Sequence, residues 1–231
     1  MKRILLILLF IISYQGISQS FDYSLLNSFI GKYVSLQGNI DYKSISSIEL
    51  NPILNQFVKI SPQEDWTKEE HLSYWINTYN IFTIKLISDN YPVKSIKDIK
   101  QPWDKKFIPI RGELLSLNQI EHEIIRKMNE PRIHFALVCA AISCPKLYNK
   151  AFTSENLDED LTKLTKEFLA DPLKNSISEE QVEISKIFQW FTGDFKNKEQ
   201  SLIDFLNLYS EIQISAGAKI KFKAYNWNLN E

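Results

Sequence analysis

Residues 68–88 constrain the fold more than any other part of the chain. On a helical wheel Leu72, Trp75, Tyr79, Phe82 and Leu86 share one face, while Ile81, Ile84 and Ile87 lie on the other side. A helix that is apolar nearly all round has to be covered on every side, so this segment predicts a central buried helix with the rest of the chain packed about it. Asp89-Asn90-Tyr91-Pro92 ends it, because the residue before a proline leaves the helical region. A core of that kind needs a long chain rich in apolar side chains. The 231 residues, 44% hydrophobic and 13% aromatic, supply it.

The remaining elements are shorter. Residues 24–34 and 46–58 read as helices, and residues 107–110 as a strand followed by a turn at Arg111-Gly112-Glu113. Ser116, with Gln119 three positions on, forms a capping box that opens another helix. Residues 133–139 are short, apolar and β-rich, the pattern of a buried strand. Thr153 or Ser154 caps a helix running to about residue 170. Residues 182–185 and 220–224 are further strand candidates, and residues 187–195 and 200–208 read as helical. Helices outnumber strands and do not alternate with them regularly. That favours α+β: a single compact domain over residues 21–231, helix-rich around a small mixed or antiparallel sheet.

The first 20 residues read differently. Met1-Lys2-Arg3 is positive, residues 4–12 carry no polar side chain, and residues 13–20 are small and polar, the three parts of a secretory signal. Nine apolar residues fall short of the ~20 that a spanning helix needs. The expectation is a cleavable signal peptide over residues 1–20, cut after Ser18 or Ser20. The domain is then periplasmic or extracellular, soluble, and not membrane-spanning once processed. With 27 basic against 28 acidic residues there is no electrostatic case for nucleic acid. Glycine is scarce, no phosphate loop or dinucleotide fingerprint occurs, and no cofactor is expected.

Four sets of residues carry possible chemistry. Asn77 and Asn80 sit among the isoleucines of the central helix, three apart, with Tyr79 beside them. A buried amide left unsatisfied costs roughly 1–3 kcal/mol, so each bonds either to a neighbouring loop's backbone or to a ligand in a pocket. Glu121 falls between Leu117 and Ile125 on the apolar side of its helix, with His122 at the rim. A buried carboxylate must be paired with a cation, or with a histidine that it orients, or have its pKa raised. His134, in the predicted strand, faces away from Cys139. Cys139 and Cys144, the only cysteines, admit a structural disulfide, a catalytic thiol or a redox pair. Zinc on His122, His134, Cys139 and Cys144 has no recognised ligand spacing, and no metal site is expected.

Tyr74-Trp75-Ile76-Asn77-Thr78-Tyr79-Asn80, Ser116-Leu117-Asn118-Gln119-Ile120-Glu121-His122, and Pro131-Arg132-Ile133-His134-Phe135-Ala136-Leu137 continuing to Ser143-Cys144-Pro145 together resemble the domain-of-unknown-function 547 family (DUF547). Ala151-Phe152-Thr153 with Asn156-Leu157, Trp190-Phe191, and the ending Tyr225-Asn226-Trp227 extend the resemblance, in order, over most of residues 70–230. Two departures stand out. Val138 replaces the asparagine usual before the first cysteine, and Asn226 replaces the aspartate usual between Tyr225 and Trp227. The second removes an acid from that position. The resemblance implies a shared site made from Asn77, Asn80, Glu121, His122, His134, Cys139 and Cys144. Some relatives carry thioredoxin-like domains, which implies thiol chemistry, but the family has no assigned activity.

Two functions of different class follow. One is a thiol-dependent hydrolase or acyl transferase. Cys144 or Cys139 would be its nucleophile, His134 or His122 its base, and Glu121 would orient the imidazole. Asn77 or Asn80 would donate to substrate. The other is a non-catalytic envelope domain stapled by a Cys139–Cys144 disulfide, binding a small molecule, peptide or glycan through the asparagines and Tyr79. A dithiol redox protein is a third, thinner option.

Overall fold

The computed structural model describes residues 21–196 and 198–231, so the signal peptide expected over residues 1–20 lies outside the described residues. Three helices come first: α1 (Ser24–Tyr33), α2 (Ser47–Lys59) and α3 (Lys68–Asn90). A capping box opens α3. Thr67 Oγ1 accepts from the Glu70 N–H (3.2 Å), and the Glu70 carboxylate accepts from the Thr67 N–H (2.7 Å). Residues 72–84 are buried without interruption, so this is the central helix that the apolar wheel predicts. Its buried hydroxyls stay within the helix: Thr78 donates to the Tyr74 carbonyl (2.7 Å) and Thr83 to the Tyr79 carbonyl (2.8 Å).

Strands β1 (Ile108–Ile110) and β2 (Glu113–Leu115) form an antiparallel hairpin, Ile110 opposite Glu113. Arg111 and Gly112, at φ 53° and 79°, make the two-residue turn that matches strand twist. β2 runs directly into Ser116, which exchanges hydrogen bonds with Gln119 in the predicted capping box (3.2 Å each way). The helix that follows, Gln119–Ile125, is wound wide. The Arg126 N–H reaches back five residues to the Glu121 carbonyl, a π-helix of the sort found mostly at functional sites. It packs against α3.

Residues 133–139 are not a strand. Pro131–Phe135 is a 3-10 turn, and the segment beyond it pairs with no strand. The Asn80 side chain stands in for the ladder. Its Nδ2 donates to the Ala136 carbonyl (2.9 Å), and its Oδ1 accepts from the Val138 N–H (3.0 Å). The apolar run reflects burial, which a short run signals without saying whether the backbone is helical or extended.

Helix α4 (Leu157–Ala170) begins later than Thr153 or Ser154, with acidic Asp158, Glu159 and Asp160 in its first turn, where the helix dipole favours them. A small mixed sheet completes the α+β fold. β3 (Ser176–Ile177) runs antiparallel to β4 (Gln181–Ile184), which lies parallel to β5 (Lys219–Phe222). Between β4 and β5 come α5 (Ile187–Trp190), α6 (Thr192–Phe195) and α7 (Leu202–Tyr209). The single helix expected over residues 187–195 breaks at Phe191, whose φ of −109° and ψ of 27° leave the helical region.

The C-terminal segment lies between two others. Leu229 N–H donates to the Lys94 carbonyl (3.0 Å), and Ile142 N–H donates to the Asn228 carbonyl (2.8 Å). Buried Asn230 accepts from the Tyr42 hydroxyl (2.9 Å). Among the described residues no helix is long and apolar enough to cross a membrane.

Candidate functional site

The residues singled out in sequence divide into two groups. Asn77 and Asn80 hold the scaffold. Asn77 repeats the Asn80 clamp on another loop, donating to the Phe152 carbonyl (2.8 Å) and accepting from the Phe152 N–H (3.0 Å). Each amide thus has both ends engaged on loop backbone, and neither lines the cleft described next. Losing such a pair leaves two buried backbone groups unpaired.

Tyr79, Glu121, His122, His134, Cys139 and Cys144 do meet, in a cleft of about 230 Å³. Its walls are aromatic: Trp103, Trp190, Phe191, Tyr225 and Trp227. Tyr225 bridges Trp190 and Trp227, with ring centroids at 4.8 and 4.6 Å, and Trp103 meets Trp227 edge-on at 5.8 Å. Lys97 Nζ caps the Trp227 ring at 3.8 Å. Trp190, 46% exposed, stands at the mouth.

At the base Glu121 is buried and, among the described residues, forms no ion pair. Burial pushes its carboxyl up to about 7; a hydrogen bond with the Tyr79 hydroxyl and the charge of Arg126 pull it partly back, and Asp194 pushes it up. Near neutral pH this group can therefore hold a proton or release it. Burial and the neighbouring Glu121 keep the Tyr79 and Tyr225 hydroxyls protonated, as donors.

The two histidines are joined through residues that sequence patterning did not single out. Asp194 sits between Arg126 and His134. It accepts from Arg126 Nε (2.6 Å) and Nη2 (2.7 Å) as a fork, and its Oδ2 lies 2.7 Å from His134 Nε2. Burial opposes ionisation of Asp194, but the Arg126 fork and His134 outweigh it and hold the carboxyl well below the usual range. An ionised carboxylate only accepts, so His134 carries its proton on Nε2. Burial lowers the His134 pKa more than Asp194 raises it, and the imidazole stays neutral. His134 stacks on Phe191 at 4.0 Å. Arg126 Nη1 also lies 3.0 Å from His122 Nδ1, and since arginine only donates, that nitrogen is unprotonated. Burial and the Arg126 charge both lower the His122 pKa. The spacing of His122 and Arg126, one helical turn, was visible in the sequence. Asp194, 60 residues beyond His134, left no such signal.

Cys139 and Cys144 are joined as a disulfide, their Cα atoms 6.3 Å apart. Ala140, at φ 58°, turns the chain so that Cys144 returns to Cys139. Cys144 Sγ lies 3.1 Å from the Cys139 N–H and 3.2 Å from the Tyr225 hydroxyl, which is also 3.4 Å from Cys139 Sγ. Neither sulfur is a thiol, and the His134 nitrogen that is bonded faces Asp194. With the sulfurs bonded to each other, the four-residue zinc set has no thiolates. Among the described residues no group of histidines, cysteines and carboxylates comes together as metal ligands.

No curated protein and no solved structure matches this chain. Residues 63–169 match one family model, whose description is "Protein of unknown function, DUF547". That stretch holds α3, the wide helix with Glu121 and His122, and the turn with His134 and both cysteines, so the part of the chain that is similar to DUF547 carries most of the cleft's polar groups.

Proposed function

We propose that this domain binds a small ligand, or one ring or side chain of a peptide or glycan, in the aromatic cleft, and that it does so outside the cytoplasm. The cleft wall carries this reading. Six aromatic side chains, Tyr79 among them, surround one protonatable carboxyl, Glu121, and two neutral imidazoles, His122 and His134. Aromatic faces take apolar rings and sugar faces, and a few polar groups set orientation. A volume of about 230 Å³ lies just under the usual range of ligand pockets, about 300–1,000 Å³, and suits a single ring. Export is supported by the pattern of residues 1–20 and by a disulfide, a bond that persists in oxidising compartments.

The binding reading is favoured over a thiol-dependent hydrolase or acyl transferase by the disulfide. Such an enzyme needs a free Cys139 or Cys144 beside an imidazole, and here sulfur bonds sulfur while His134 engages Asp194. Ligand-observed NMR with a mixed library of monosaccharides and dipeptides tests it. Hits are expected to lose binding at least tenfold in Trp190→Ala. Hits indifferent to Trp190→Ala and to Tyr225→Phe would place binding elsewhere and sink the reading. N-terminal sequencing of exported protein is expected to start after Ser18 or Ser20, and an intact Met1 in the cytoplasm overturns export.

A further inference from the structure

We propose that the Cys139–Cys144 bond is an exchangeable redox disulfide, reduced by an external dithiol with the fold intact. This does not depend on the cleft holding a ligand. Three observations support it.

The first is access. Both cysteines line the cleft, but unequally: Cys144 is only 2% exposed, while Cys139 is partly buried. An incoming thiolate can reach one sulfur and not the other, which gives exchange a direction.

The second is the surroundings of the sheltered sulfur. Cys144 Sγ has two donors in place, the Cys139 N–H at 3.1 Å and the Tyr225 hydroxyl at 3.2 Å. Donors aimed at a sulfur stabilise it as a thiolate, and a thiolate that leaves easily makes exchange fast.

The third is redundancy. The loop is held without the bond. Val138 N–H is fixed by Asn80, Ile142 N–H by the Asn228 carbonyl and Ser143 N–H by the Asn226 carbonyl (3.2 Å). Lys174 Nζ reaches the Ile142 carbonyl (3.2 Å). Breaking the sulfur–sulfur bond therefore opens no part of the core.

The exchange balances with a dithiol as reductant. Its thiolate attacks Cys139 Sγ, a mixed disulfide forms, and the Cys139–Cys144 bond breaks with its electron pair on Cys144. The second thiol of the reductant, as thiolate, then attacks the reductant's own sulfur in the mixed disulfide and releases Cys139. The reductant ends as a disulfide, and its two protons end on Cys139 and Cys144. Run in reverse, the same steps reduce a bound disulfide and reoxidise the pair.

The test treats the native protein with dithiothreitol, alkylates with N-ethylmaleimide, counts labels by mass spectrometry and follows near-UV circular dichroism. The expected result is two labels with an unchanged spectrum, and none when the dithiothreitol is removed and oxidised glutathione re-forms the bond before alkylation. No label until denaturant is added, or label appearing only as the spectrum is lost, overturns the proposal. Direction is tested by incubating single variants with oxidised glutathione. Cys144→Ser is expected to trap glutathione on Cys139 at least tenfold faster than Cys139→Ser traps it on Cys144, and equal rates overturn the assigned order. Tyr225→Phe is expected to slow reduction of the wild-type pair about tenfold, the factor one lost hydrogen bond to an anion is worth. An unchanged rate removes Tyr225 from the proposal.

Discussion

Glu121→Gln separates the charge of the buried carboxyl from its shape, because the amide is isosteric and never ionises. The ordinary value of 4.5 is pushed up to about 7 by burial, with Tyr79 and Arg126 opposing and Asp194 assisting. A group whose folded pKa lies above its unfolded one contributes stability that is fully present below the unfolded pKa. That stability is lost as pH rises through the folded pKa. The window is therefore pH 4.5 to 7, and stability falls with rising pH. Integrated from pH 5 to pH 8, the wild-type protein loses about 2.5 kcal/mol from this group, at 1.36 kcal/mol per unit. The glutamine variant does not. Its stability relative to wild type should rise by about 2.5 kcal/mol over that range, whatever offset the lost Tyr79 contact sets at pH 5. The three histidines are common to both proteins and cancel in the difference. Urea unfolding at the two pH values, followed by tryptophan fluorescence, measures it. With a slope of about 2 kcal/mol/M the relative midpoint moves by about 1 M. A difference flat to within about 0.5 kcal/mol would show Glu121 ionised throughout, and with it a hidden cation partner.

Asn80→Ala should destabilise the domain by about 2–4 kcal/mol, since the Ala136 carbonyl and Val138 N–H are both left buried and unpaired, and chemical denaturation reads it. Gly38→Ala should cost more than the ~1 kcal/mol of a left-handed alanine. Its φ is 82°, and an added Cβ would stand 2.6 Å from Lys146 Cβ and 2.7 Å from the Leu147 nitrogen, so a fall in melting temperature under 2 °C would refute the clash. Asp194 has its folded pKa depressed, so its stability is present above the unfolded value near 3.8 and lost as pH falls through the folded one. Asp194→Asn should flatten the acid limb of the stability curve, and an unchanged limb would mean that Arg126 does not hold the carboxylate.

What the sequence made legible was periodicity and caps. Helix α3, the hairpin turn at Arg111 and Gly112, and the Ser116–Gln119 capping box are set by local spacing, and local spacing is written in the chain. The apolar pattern of residues 133–139 suits a strand, but their backbone partner is a side chain, Asn80, more than 50 residues away. No pattern within the segment records that. The candidate site divides the same way. Glu121, His122, His134, Tyr79 and both cysteines stood out as chemistry on apolar faces. Asp194, which joins His134 to Arg126, sits in a four-residue helix with no periodicity to read.

The cleft depends on parts of the molecule that do not face it. α3 contributes Tyr79 to the cleft and spends Asn80 on Val138 N–H, the residue next to Cys139. The C-terminal segment spends Asn226 and Asn228 on the backbone before Cys144 and delivers Tyr225 against both sulfurs. The two cysteines are thus held by the central helix and by the C-terminal segment, and Tyr225 and Trp227 of the aromatic wall arrive with the latter. Between them the wide helix brings Glu121 to the cleft base and His122 to its side, each positioned by a neighbour that is not itself buried charge seeking a partner: a tyrosine hydroxyl and an arginine already spent on Asp194. Unlike Asp160, which has Lys150, Glu121 is left among the described residues as a buried carboxyl with no ion pair. Its protonation near neutrality follows from that arrangement and not from its sequence neighbours.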